Sequence, residues 1–143
     1  MECCIPKANA TIAVLAAFSG LAACADSRSA AVGERLYKGD PPLTARLSGD
    51  PLLLPVEATR CSNCHEAAGL DVAGFGPKLT AASLLSDRKR RGGPPSHYDL
   101  KSFCAVLRTG IDPAFVLIDR AMPRYELNED ACKALWDYVK SRS

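Results

Sequence analysis

The chain has little histidine and little methionine. Its 143 residues include two histidines and two methionines, and one methionine is the initiator. The net charge is +2, with no concentrated basic stripe of the kind that marks a nucleic-acid binder. No apolar run reaches the roughly 20 residues that a membrane-spanning helix needs. No internal repeat and no long low-complexity segment is visible. The length suits one compact domain rather than two. With 48% hydrophobic residues the chain can form a core. Against these shortages stand seven cysteines, a high count for this length.

The amino terminus reads as an export signal. Lys7 and the terminal amine supply positive charge, and residues 11–23 form a short apolar run, too short to span a bilayer but suited to an h-region. The run ends in Leu21-Ala22-Ala23-Cys24, which resembles a bacterial lipobox. That resemblance implies cleavage before Cys24 and lipidation of its thiol; ordinary cleavage near Ala23 or Ala25 is the alternative. Glu2, Cys3 and Cys4 make an unusual n-region. On either reading residues 1–23 are an export signal, residues 24–30 a small polar tether, and residues 31–143 the folded domain. Removing residues 1–23 takes away one charge of each sign, Lys7 and Glu2, and leaves the net charge unchanged.

Within the domain, residues 31–38 read as a short helix closed by Gly39-Asp40-Pro41-Pro42. Residues 41–60 lack a helical period and suggest an extended loop or small hairpin. A short helix over 80–86 precedes a basic loop containing Arg88-Lys89-Arg90-Arg91. Asp99 can cap a helix running to Thr109, with Leu100, Phe103, Cys104 and Leu107 on one face and Gly110 at its end. Asn128 can cap the last helix, whose inward stripe is Cys132, Leu135, Trp136 and Val139. Glu129 and Asp130 near its start and Lys140 and Arg142 near its end suit the helix dipole. The expectation is an all-α domain. A few short helices bury little apolar area on their own, so a large flat apolar cofactor would complete the core.

Cys61-Ser62-Asn63-Cys64-His65 is a CxxCH sequence. On one helical turn its thiols lie three residues apart and face the same way. They can form thioethers to two haem vinyl groups, and His65 is then placed to bring an imidazole to the iron. A redox-active CxxC would want a βαβ context, and a zinc site a second ligand pair. Neither is apparent, although a Cys61–Cys64 disulfide is a further alternative. Covalent haem c also suits an exported protein, because the cofactor cannot be lost outside the cell.

Met122 lies in Ala121-Met122-Pro123-Arg124-Tyr125, just before the last helix. A neutral thioether there would be a soft sixth ligand that raises the reduction potential; the alternative is a core filler. With this motif the chain resembles the class I cytochrome c family over roughly residues 31–141. Gly33 and Tyr37 look like the family's amino-terminal helix contact, and Leu135 and Tyr138 like their partners. Gly76-Pro77-Lys78-Leu79 stands at the family's Gly-Pro spacing after CxxCH. The resemblance implies a cytochrome c-like fold of four or five short helices around one covalently bound haem. It implies that the Pro77 carbonyl fixes the His65 ring and that Met122 completes the iron's ligands. Residues 41–60 are longer than the simplest members have.

Cys104 and Cys132 lie outside the common pattern; they can pair in a disulfide or remain two buried thiols. His97 reads as a surface residue or a propionate neighbour. The Arg88–Arg91 cluster is a solvated loop, a surface for an acidic redox partner or a neutralising partner for a haem propionate. The expected function is one-electron transfer without bond chemistry on a substrate, on the periplasmic side of a bacterial membrane. Partners would be a redox protein or a dehydrogenase or oxidase complex, with the membrane held through the lipid anchor. The alternative is a gas-binding or peroxide-reactive haem protein with an open or labile sixth position.

Overall fold

The computed structural model describes residues 13–66 and 76–143. Side chains of the first helix are described from Asp26 onward, so the Cys24 side chain and residues 1–12 of the expected export signal lie outside the described residues. That helix, α1, spans Ala13–Lys38 and is longer than the 31–38 expected. Its first half is rich in alanine, the strongest helix former, so residues 24–30 are helical. No helix among the described residues is long and apolar enough to cross a membrane. The carboxyl end closes as anticipated: Gly39 adopts φ +84°, Asp40 N–H donates to Arg35 O and Gly39 N–H to Leu36 O. This pair of bonds satisfies the last helical carbonyls.

Residues 41–60 are extended. Strand β1 (Ala45–Arg46) pairs antiparallel with β4 (Arg124–Tyr125), placed eighty residues later. A 3-10 turn over Val56–Thr59 then leads into α2 (Cys61–His65). Helix α3 (Ala81–Leu85) is capped by Thr80, whose hydroxyl accepts from Ser83 N–H. The basic segment forms a hairpin of β2 (Arg88–Lys89) and β3 (Pro95–Ser96). At its turn Gly93 N–H donates to Arg90 O, while Arg91 and Gly92 both have positive φ. Two positive φ angles match the twist of the paired strands. The all-α expectation is therefore corrected: the described chain is helix-rich with two two-stranded ladders. Both ladders are too short to leave a period-2 pattern in the sequence.

Helices α4 (Leu100–Thr109) and α5 (Glu129–Ser141) follow the sequence reading closely. Asp99 accepts from Ser102 N–H, Asn128 accepts from Ala131 N–H, and Gly110 ends α4 at φ +77°. Phe103, Cys104 and Leu107 of α4 and Cys132, Leu135, Trp136 and Val139 of α5 are all buried, whereas Leu100 is exposed.

The α1–α5 crossing is the main helix contact. A methyl group at Gly33 would stand 1.9 Å from Ala134 O and 2.8 Å from Tyr138 Cβ, so only glycine allows this approach. One turn on, the Tyr37 and Tyr138 rings meet at 5.2 Å. Arg142 lies over both rings and pairs with Glu66 at 2.8 Å, which ties the end of α5 to the end of α2. Cys104 and Cys132 are joined by a disulfide that links α4 to α5.

Candidate functional site

Helix α2 is a single turn, too short to persist alone, and its neighbours fix it. Asn63 Nδ2 donates to Glu57 O at 2.7 Å, and the Tyr125 hydroxyl donates to the buried Thr59 carbonyl at 3.1 Å. The turn of CxxCH is thus held by the 3-10 segment before it and by β4 from the far end of the domain. Cys61 is buried and Cys64 exposed, and neither is disulfide-bonded. Burial pushes the Cys61 thiol up to about 11. Cysteines of redox-active CxxC motifs have lowered values, so this environment argues against that rival.

The His65 ring is buried and its Nδ1 lies 2.6 Å from Pro77 O. A carbonyl only accepts, so Nδ1 carries the proton and Nε2 keeps its lone pair. Nε2 is buried with no hydrogen-bond partner. Burial, acting against the Pro77 bond, lowers the pKa of His65, with Arg142 adding to the lowering. The imidazole is therefore neutral near pH 7, the form that ligates a metal. Beneath the ring, a methyl group at Gly76 would fall 2.3 Å from His65 Cε1. Glycine before Pro77 lets the backbone lie against the imidazole.

One cavity of about 510 Å³ is lined by Cys61, Cys64, His65, Pro77 and Met122. Much of the remaining wall is apolar, including Leu79, Phe103 and Ile118. Such a volume lies within the roughly 300–1,000 Å³ typical of ligand and cofactor sites. Five residues from three separate stretches of sequence thus face one space. His97 does not line this cavity; it is exposed and its Nδ1 lies 2.8 Å from Asp87 Oδ1. Among the described residues no group of three or more His, Cys, Asp or Glu side chains is placed to hold a metal ion. A histidine–thioether pair is not such a group.

Met122 is half-buried and followed by the buried Pro123. Its segment is held by a residue that sequence reasoning passed over. Arg124 Nη1 donates to the Met122 carbonyl, and Nη2 reaches Ile118 O and Asp119 O at 3.5 and 3.4 Å. The guanidinium rests on Gly110, where a methyl group would stand 2.3 Å from Cζ. Gly110 thus ends α4 and also seats Arg124, a second role with no local signal. Tyr125 likewise carries no local signal of its role, although its hydroxyl anchors the 3-10 turn that leads into CxxCH.

The donor set and cavity fit a covalently attached haem. Two thiols, a neutral imidazole with an unpaired buried nitrogen, and a thioether share one apolar-walled space. Compared with protein-family models, with curated proteins and with solved structures, the chain matches none.

Proposed function

We propose that this protein is a monohaem c-type cytochrome of the class I kind, working as a one-electron carrier outside the cytoplasm. The observation that carries the reading is the convergence of Cys61, Cys64, His65, Pro77 and Met122 on one cavity. Cys61 and Cys64 would hold a haem through two thioethers, and His65 and Met122 would ligate its iron. When bound, the haem supplies a one-electron ferric/ferrous couple. The chain's residues keep that couple rigid: Pro77 fixes the His65 tautomer, Gly76 allows the ring its seat, and Arg124 ties down the segment presenting Met122. The apolar wall limits water and favours the less charged ferrous state.

The cytochrome c-like arrangement rests on the α1–α5 crossing at Gly33 and on the order CxxCH, Gly-Pro, Met-Pro along the chain. Export, with acylation at Cys24, supplies the setting for covalent attachment. The partner would be a redox protein or a membrane dehydrogenase or oxidase.

The test is the denatured mass of protein exported from cells that attach haem c. One haem should stay bonded to the chain, and the Cys61→Ala/Cys64→Ala double variant should lose it. An unmodified chain with both thiols free to alkylate would overturn the reading.

A further inference from the structure

Outside the cavity, the most unusual surface feature is the turn at residues 111–118. Ile111 and Leu117 bridge antiparallel, and Ile118 N–H donates to Gly110 O at 2.8 Å. At the tip Phe115 is 90% exposed and has φ +60°, a conformation that a bulky residue rarely adopts. The fold holds it there. Asp112 is buried at the base of the turn, and its Oδ1 accepts from Ala114 N–H and Val116 N–H, both at 2.9 Å. Ile111 and Leu117 beside the tip are themselves 44% and 58% exposed.

The β2–β3 hairpin packs against this turn. A methyl group at Gly93 would sit 3.1 Å from both Ala114 Cβ and Val116 Cγ2, and Arg91 Nη1 lies 3.3 Å from Asp112 Oδ2. Arg88 and Lys89 of the same hairpin are exposed and form no ion pair among the described residues. Asp112 is paired with Arg91, and the hairpin segment carries Arg88, Lys89, Arg90 and Arg91 against the single adjoining acid Asp87, an excess of positive charge. A rigid apolar tip therefore stands beside unneutralised cations.

We infer that this patch docks the folded domain on an anionic lipid surface. Phe115, with Ile111 and Leu117, enters the headgroup boundary, while Arg88 and Lys89 meet the lipid phosphates. A lone aromatic on a narrow turn offers little flat area. A protein partner would need a matching recess within an interface of about 800 Å² per side, whereas a fluid surface moulds around the tip. Ile118 and the hairpin also line the cavity, so docking turns the cavity rim towards the membrane. The inference does not depend on haem being present.

The experiment is co-sedimentation of residues 24–143 carrying Cys24→Ser, so that neither an acyl chain nor the apolar run at 11–23 contributes, with two vesicle types at low ionic strength. One contains phosphatidylcholine with phosphatidylglycerol, the other phosphatidylcholine alone. The protein should pellet with the anionic vesicles and far less with the neutral ones. Phe115→Ala should weaken partitioning about tenfold, and Phe115→Leu, which keeps an apolar tip, by no more than about threefold. Arg88→Glu/Lys89→Glu should abolish the preference for anionic lipid. Partitioning unchanged in Phe115→Ala overturns the inference. So does failure to pellet with anionic vesicles, a result that would assign the patch to a protein partner.

Discussion

At the scale of single residues, the account rests on a few close approaches. Gly76 lies so near the His65 ring that a methyl group would overlap it. Overpacking costs about 1–3 kcal/mol, and each kcal/mol lowers the melting temperature of a domain this size by about 3–5 °C. Gly76→Ala should therefore melt several degrees lower and show a shifted Soret band as the imidazole is displaced. An unchanged melt and spectrum would mean that the backbone does not lie against the ring. Arg124 acts one step further from the cavity, through the Met122 carbonyl. Arg124→Ala should loosen residues 118–123 and let external imidazole compete for the sixth position about tenfold more effectively, equivalent to about 1.4 kcal/mol. If Arg124→Ala only lowers stability and leaves imidazole affinity alone, the side chain is structural. The CxxCH residues could be read from sequence because their chemistry is local, with thiols and imidazole within five positions. Arg124 could not, because its seat on Gly110 is made only by the fold.

Among the elements, the legible ones were those with chemical end signals. Asp99, Gly110 and Asn128 each hold a cap in the structure, because an orphan backbone group at a helix end selects few residue types. The two ladders were hidden, since β1 and β4 are two residues long and pair across most of the domain. Helix α1 extends back through an alanine-rich run that the sequence reading assigned to a signal and tether. Composition suited both readings. At α4 and α5 the Cys104–Cys132 bond closes a loop with a sequence separation of 28. Cross-linking a loop of this size contributes about 3–4 kcal/mol. Cys104→Ala/Cys132→Ala should unfold at lower urea by that amount while keeping its haem. In unreduced, denatured wild type these two cysteines should resist alkylation; two reactive thiols per chain would remove the bridge.

At the scale of the whole molecule, α1, α4 and α5 pack into a core among the described residues, and a cavity opens beside it that a cofactor would fill. Leu79, Phe103, Ile118 and the segments carrying His65 and Met122 all line that space. His65 and its Pro77 partner come from one side of the sequence, and Met122 from a loop near the other end. The order of these pieces was visible in the sequence; their convergence required the fold. Ligation by Met122 is the central claim, and it separates a closed electron carrier from a haem protein with an open site. The most direct test is the far-red sulfur-to-iron absorption band of the oxidised, haem-loaded protein. The account predicts that the band is present in wild type and lost in Met122→Ala, with haem still attached through Cys61 and Cys64. A haem-loaded wild type without the band would contradict it and leave the sixth position open to gas or peroxide.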